Sequence, residues 1–240
     1  MPIQSRIQDN LDRVRERMNR AAERSGRSVE EVRLVAVCKY VGLPEVRALV
    51  DGGCGDLGES RPQVLWEKAA GLDRTVRWHL VGHLQRNKVQ RTLPLVAMIH
   101  SVDSLRLLQA INDAATKSLP GELGPPPRVP ILLEINTSGD ESKHGWPADE
   151  IRSVIPQLDD HAGVDVRGLM TMASRRGELE AARRSFSQLR MLRDRLQREC
   201  PSGIELRELS MGMSGDFEVA IEEGSTMVRV GSALFEGLVP

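Results

Sequence analysis

Residues 206–232 read LRELSMGMSGDFEVAIEEGSTMVRVGS. A β-rich run from Leu206 to Ser210 opens into a glycine- and serine-rich loop. A helical stretch from Phe217 to Glu222 follows, then a second β-rich run from Met227 to Val230 that ends at Gly231 and Ser232. Two strands joined through a helix are the repeating unit of a parallel sheet, because parallel neighbours need a crossover connection. The same alternation continues upstream, with β-rich runs at Leu34 to Lys39, Cys54 to Gly58, Arg77 to Val81, Met98 to Ser101, Pro130 to Ile135 and Val166 to Met170. Helices are expected at Pro44 to Val50, Pro62 to Ala70, Leu84 to Arg91, Leu105 to Lys117, Asp149 to Leu158 and Glu178 to Arg198. Eight strands are the closing number of a (β/α)8 TIM barrel, and about 250 residues is its usual length. A doubly wound open sheet also alternates strands and helices, and pattern alone leaves it open. Ahead of the barrel, Ile7, Leu11, Val14, Met18 and Ala21 form one apolar helical stripe closed by Gly26. The expectation is one barrel domain over residues 1–240, with an extra N-terminal helix, residues 1–26, packed on it. LPGELGPPP, from Leu119 to Pro127, reads as a surface loop.

Composition removes several classes of partner. With 33 Lys and Arg against 34 Asp and Glu, the net charge is −1 and provides no field for polyanions, so neither nucleic acid nor membrane is an expected partner. No stretch approaches the ~20 apolar residues of a membrane span. Cys38, Cys54 and Cys200 are odd in number and lack CxxC spacing, which fits a reducing, cytoplasmic setting without a disulfide framework. No metal site is expected. His79 and His83 are four apart, but Gly82 and the strand-to-helix break between them spoil a shared face.

In a β/α barrel the functional site lies at the C-terminal strand ends, with phosphates held by the loops after the last two strands. Polar residues gather on that rim here: Lys39, then Gly58, Glu59 and Ser60, then WHLVGHLQ, then Asn136, Thr137 and Ser138, then Thr171 and the SMGMSGD loop. Strand alternation puts Val35, Val37 and Lys39 on one face and Leu34, Ala36 and Cys38 on the other. Lys39 therefore tops an apolar inward column, where desolvation favours the neutral, nucleophilic amine. A lysine that reaches past the rim into solvent fits the same residues equally well. Ser210, Gly212, Ser214 and Gly215, with Gly231 and Ser232, offer hydroxyls and backbone N–H groups to a phosphate, although glycines also serve ordinary turns. Arg229 shares the parity of Gly231 and points inward, so it needs a partner: a ligand ring nitrogen, or Glu208 on the neighbouring strand. Met211 and Met213 pack on a ligand ring or simply fill space.

The segments LVAVCKY, GES, WHLVGHLQRNK, IHSVDS, EINTSGDESKHGW, RGLMTMA and LSMGMSGDFEVAIEEGSTMVRVGSALF occur in order from residue 34 to 235. With these motifs the chain resembles the pyridoxal phosphate homeostasis protein family, also called the YggS/PROSC family. The resemblance implies a fold type III barrel similar to that of alanine racemase, with pyridoxal phosphate (PLP) as cofactor, held as a Schiff base on Lys39. It implies Ser214, Gly231 and Ser232 around the phosphate and Arg229 facing the pyridine nitrogen, with Ser210, Met211, Gly212 and Met213 lining the pocket and His79 as a further neighbour. Members usually read GEN where this chain has GES, so Ser60 replaces an asparagine beside the cofactor. They commonly carry Ser or Thr at Cys38 and Thr at Ser232, and many continue past the final FEG differently.

An arginine at the ring nitrogen disfavours its protonation and makes the cofactor a poorer electron sink. Racemisation also needs a second acid or base opposite the lysine, and Tyr40, the only tyrosine, is adjacent to Lys39 with the opposite parity. The expected function is reversible binding that buffers PLP and delivers it to PLP-dependent apoenzymes, in vitamin B6 and amino-acid homeostasis. The expected state is a monomer without catalytic turnover. Two alternatives stay open: an amino-acid racemase or lyase that uses His79 as base, and an aldolase-like barrel that never binds the cofactor.

Overall fold

The computed structural model describes residues 2–72, 76–118, 128–137, 144–173 and 179–238. Strands β1 (Arg33–Val37), β2 (Asp56–Glu59), β3 (Arg77–Leu80), β4 (Val96–Val102) and β5 (Val129–Asn136) are followed by a two-residue strand, β6 (Trp146–Pro147). β7 (Val164–Met170), β8 (Glu208–Ser210) and β9 (Met227–Val230) complete the set. Every pairing is parallel. The chain of neighbours closes on itself through β1 against β9, with Val35 opposite Arg229, and β4 against β5, with Ile99 opposite Ile131. β6 extends only the end of β5, which leaves an eight-stranded barrel and excludes the open sheet.

Strand alternation sorts the side chains into two layers. The outward-facing Ala36, Leu57, Leu80, Ile99, Leu133 and Val228 join one apolar core with α2 (Leu43–Asp51), α3 (Pro62–Ala70), α5 (Leu105–Ser118), α6 (Leu179–Gln197) and α7 (Phe217–Glu222). Inside the barrel, Met98, Leu132, Met170 and Met227 form a separate small cluster. Two residues further along three of these strands, the inward positions are His100, Glu134 and Arg229, all buried. The apolar plug thus gives way to a polar layer just beneath the mouth.

Helix α1 (Ile3–Arg24) buries the expected stripe completely or nearly so. Each such side chain stabilises by about 1.5–3 kcal/mol relative to exposure. Beyond the helix, Gly26 adopts φ +67°, so that the Arg27 N–H reaches back to the Ala22 carbonyl at 2.9 Å. Asn10, fully buried on the packed face, donates to the carbonyls of Leu234 (3.0 Å) and Glu236 (3.1 Å). α1 therefore fastens the turn that follows β9.

The helices at Pro62–Ala70 and Phe217–Glu222 and the strand at Met227–Val230 coincide with expectation. Elsewhere the boundaries move. β1 stops at Val37, not Lys39, because the Cys38 carbonyl turns to accept from Lys68 Nζ (2.7 Å) and from the Val41 N–H. The helix expected over Leu84 to Arg91 starts late. Its chain stays extended through Gln85, passes through a 3₁₀ turn at Arg86–Lys88, and yields only α4 (Val89–Thr92) before Pro94 ends it. Asp149 to Leu158 forms two 3₁₀ segments, Ile151–Ser153 and Ile155–Asp160, since Pro156 lacks the N–H a continuous α-helix requires. The loop over 119–127, Ser138 and the expected helix start at Glu178 lie outside the described residues. Among the described residues no helix is long and apolar enough to cross a membrane.

Candidate functional site

A buried ion pair fixes the ends of the first two strands. Glu59, at the end of β2 and fully buried, takes Lys68 of α3 at 2.5 Å and the Ser60 N–H at 3.1 Å. Lys68 donates at the same time to the Cys38 carbonyl. One ammonium thus holds the turn that presents Lys39 and the carboxylate beside Ser60. Lys39 sits in that turn, half-buried, with its Nζ 4.7 Å from the centre of the Tyr40 ring. Strand parity does not extend past Val37. Tyr40 accordingly lies beside Lys39 at the mouth and is 71% exposed, although strand alternation predicts opposite parity for the two residues.

Lys39, Ser60, Ser214, Arg229, Gly231 and Ser232 line one cavity of about 410 Å³, with Val37, Tyr40, Gly82, Met172 and Met213 in its wall. The volume lies within the ~300–1,000 Å³ usual for small-molecule sites. A side chain at Gly82 would place its Cβ 2.4 Å from the Ser60 carbonyl, so only glycine lets the two loops meet there. On the opposite side, the Ser214 hydroxyl accepts from the N–H groups of Gly231 (3.1 Å) and Ala233 (3.3 Å). The loops after β8 and β9 are thereby tied together around one hydroxyl. Asp216 accepts from the Met213 N–H at 2.6 Å and caps the same loop, and burial raises its carboxyl pKa.

The cavity floor is Arg229. Its Nη1 donates to Ser210 Oγ (2.6 Å) and its Nη2 to the Thr171 carbonyl (3.0 Å). The ion pair with Glu208 is not formed: Glu208 instead accepts from the Thr226 hydroxyl at 2.5 Å. Among the described residues no carboxylate lies within ion-pairing distance of Arg229. Burial lowers its pKa to about 10, and Glu134 and Asp216 oppose the shift through space. Burial, reinforced by Asp103, pushes Glu134 up to about 7 against the pull of Arg229 and His144.

Four of the expected site residues do not line the cavity. Ser210 is fully buried under Arg229, and Met211 belongs to the outer core. Gly212, at φ +91°, packs so close to α7 that a Cβ would stand 2.5 Å from that of Ala220; its carbonyl accepts from the Arg229 backbone N–H. His79 is buried below the floor between Asp56 (2.8 Å) and His100 (2.9 Å). The His79/His83 pair does not form. His83 turns to the mouth, where its Nδ1 lies 3.3 Å from Asp103, beside the stacked ring of His144. The Glu59–Lys68 pair, His100 between His79 and Ser210, and Asp56 on His79 are contributions that spacing did not reveal. A lysine on a polar helix and a histidine inside a strand carry no local signal of the partners that the fold gives them. A larger hollow of about 820 Å³, lined in part by Asn136, Asp149, Gln188 and Arg195, has no lysine or serine among the described residues of its wall.

The profile of the alanine racemase N-terminal domain matches residues 9–238. Fold and match together define a class, the alanine racemase-like β/α barrel. The chain is 37% identical to the pyridoxal phosphate homeostasis protein of Bos taurus, over 85% of this chain and 76% of the relative. Among solved structures it is similar to an unknown protein from Bifidobacterium adolescentis (37% identity, TM-score 0.88, 97% of this chain and 96% of that one). It is similar too to PipY of Synechococcus elongatus with PLP bound (33% identity, TM-score 0.81, 95% and 99%). The chain belongs to the pyridoxal phosphate homeostasis protein family.

Proposed function

We propose that this chain binds PLP reversibly in the cavity at the barrel mouth, and that it buffers and delivers the cofactor rather than turning over amino acids. The observation that carries the reading is convergence on one 410 Å³ space of an amine (Lys39), a buried guanidinium that no carboxylate among the described residues bonds (Arg229) and a serine–glycine cradle (Ser214, Gly231, Ser232). Those donors fit an aldehyde, a ring nitrogen acceptor and a phosphate respectively. When bound, PLP supplies a reactive aldehyde conjugated to an electron-withdrawing ring. Lys39 is the residue that holds it covalently. Arg229 presents a donor to the ring nitrogen and keeps that nitrogen unprotonated. Ser60 and Gly82 close the near side against water. Ser210, Met211, Gly212 and His79 support the wall and floor from behind. Delivery to PLP-dependent apoenzymes, a cytoplasmic location and a monomeric working state belong to the same proposal.

The racemase alternative has one observation in its favour, the presence of Tyr40 in the cavity wall. It requires Tyr40 across the ring from Lys39, whereas the Nζ of Lys39 lies against the Tyr40 ring itself. His79, the other candidate base, is only 2% exposed and lies beneath the floor.

The test is visible absorption of the protein with added PLP, followed by borohydride reduction and peptide mapping. The expected result is a stable adduct on Lys39 that Lys39→Ala abolishes. Reduction that labels another lysine, or no adduct at all, overturns the reading. Racemisation on the order of 1 s⁻¹, an enzymatic rate, overturns the buffering role.

A further inference from the structure

Beneath Arg229 an unbroken line of side chains crosses the barrel interior. Arg229 Nη1 donates to Ser210 Oγ at 2.6 Å, and Ser210 Oγ lies 2.8 Å from His100 Nδ1. His100 Nε2 lies 2.9 Å from His79 Nδ1, and His79 Nε2 lies 2.8 Å from Asp56 Oδ1. All five residues are buried, and they come from five different strands. We propose that Ser210, His100 and His79 are positioning residues that hold Arg229 as a fixed donor at the cavity floor, through a hydrogen-bond relay with a single direction.

The direction follows from the two ends. A guanidinium only donates, and an ionised carboxylate only accepts. Although burial opposes it, hydrogen bonds from His79 and Arg77 hold the Asp56 carboxyl well below the usual range, so it is ionised. His79 must therefore carry its proton on Nε2 and accept at Nδ1. His100 must then donate from Nε2 and accept at Nδ1, which gives the Ser210 hydroxyl hydrogen its acceptor. Ser210 is left with an oxygen lone pair for Arg229. Both histidines are neutral Nε2–H tautomers in this arrangement, and every hydrogen has one place.

Because a hydroxyl and a carbonyl orient Arg229, no bonded carboxylate among the described residues neutralises its charge, and that charge remains available to a ligand. The carboxylate that anchors the line, Asp56, stands at the far end, already shared with Arg77.

Adding one proton at His79 forces a different arrangement. His79 Nδ1–H would donate to His100 Nε2, and His100 Nδ1–H to Ser210 Oγ. Ser210 would then accept twice, and its hydroxyl hydrogen would lose the acceptor it has in a fully buried interior. A second positive charge would also stand in line with Arg229. Burial, then His79, Arg229 and Arg33, push the His100 pKa well below its ordinary value, in keeping with the neutral arrangement. The charged groups that bear on the line are Asp56 on β2, Arg77 on β3, Arg33 on β1 and Arg229 on β9. Glu134 of β5 and Asp216 of the loop after β8 act on Arg229.

The direct test needs no cofactor. Long-range ¹H–¹⁵N correlation on ¹⁵N-histidine protein at neutral pH is expected to show His79 and His100 both as neutral Nε2–H tautomers. An Nδ1–H or doubly protonated His100 overturns the relay. The second arm rests on the PLP reading and compares Ser210→Ala with Ser210→Thr, measuring PLP affinity and the bound chromophore's spectrum between about pH 5 and about pH 8, the window in which histidines titrate. Ser210→Ala is expected to weaken binding about tenfold, the worth of one charge-assisted hydrogen bond, and to displace the pH midpoint. Ser210→Thr, which keeps the hydroxyl, is expected to restore both. A Ser210→Ala protein that loses thermal stability but keeps wild-type affinity and pH profile shows that the line is only structural, and overturns the proposal. If Ser210→Ala does not fold, the wild-type tautomers decide. If wild type itself gives no chromophore, the PLP reading fails while the tautomer result still stands or falls separately.

Discussion

Lys68 and Arg229 are both buried cations, and the fold treats them in opposite ways. Lys68 sits outside the barrel wall, between β2 and α3, in direct contact with the Glu59 carboxylate and the Cys38 carbonyl. Arg229 sits inside, where among the described residues its guanidinium is bonded to the Ser210 hydroxyl and the Thr171 carbonyl, with Glu134 and Asp216 acting through space. Lys68 is consumed in holding two strand ends together. Arg229 is held in place without being neutralised. A buried positive charge marks a binding site when its orientation is fixed by dipoles and its counter-charge is kept at a distance.

The largest expected effect breaks the first half of this contrast. Lys68→Met leaves Glu59 buried and unpaired, which costs about 3–5 kcal/mol, measurable by urea unfolding. Adding Glu59→Leu removes the orphaned charge and is expected to recover most of that loss. A Lys68→Met protein within about 1 kcal/mol of wild type means that water or a rearranged partner reaches Glu59, and the contrast fails on that side. The next effect tests the second half. Arg229→Met strands no directly bonded carboxylate among the described residues, so its stability cost is expected near 1–2 kcal/mol, while PLP affinity falls roughly 10- to 100-fold, as expected for a lost hydrogen bond from a charged donor. A larger loss of stability than Lys68→Met shows would reverse the roles assigned to the two cations.

How much of this contrast was legible in the sequence depends on whether a local rule applied. Parity placed Arg229 inside and Val228 and Val230 outside, because β9 is regular throughout its four residues. The same rule failed at Tyr40, which joins Lys39 in the cavity wall, because a tertiary contact, Lys68 on the Cys38 carbonyl, ends β1 two residues early. The apolar stripe of α1 was readable from spacing, whereas the reach of Asn10 to the turn after β9 joins residues more than 200 positions apart. The serine–glycine loops were visible as composition. Their joining through Ser214 depends on the barrel closing, and no single segment encodes it. His79 stood out for its position near the rim, but the inward pleat carries it below the floor toward Asp56.

Glu134 gives the pH form of the comparison, since it faces Arg229 from a distance. Its folded pKa, raised to about 7 chiefly by burial, exceeds the unfolded value near 4.3. The folded state therefore keeps a proton that the unfolded chain releases. Stability from this group is complete below about pH 4.3 and is lost as pH rises through about 7. Glu134→Gln is expected to flatten the stability profile across that window. A profile unchanged by the substitution shows that Arg229 compensates the ionised carboxylate more strongly than through-space attraction allows, and that the two form a closer pair.

The smallest effect reads the clamp around Lys68 without altering any charge. Cys38 is fully buried beside that clamp, and burial drives its thiol far up. Cys54 is pushed up to about 11 for the same reason, and half-buried Cys200 is raised less. Thiolate is the reactive form, so a thiol reagent at neutral pH is expected to label Cys200 first. Cys38 then reacts only through opening of the structure, and its labelling rate reports the free energy of that opening. Lys68→Met is expected to speed the labelling of Cys38 more than that of Cys54, because the ammonium binds the carbonyl of residue 38 itself. Equal acceleration at both cysteines would mean that the ion pair stabilises the whole barrel evenly, and does not act as a local fastening for the turn that carries Lys39.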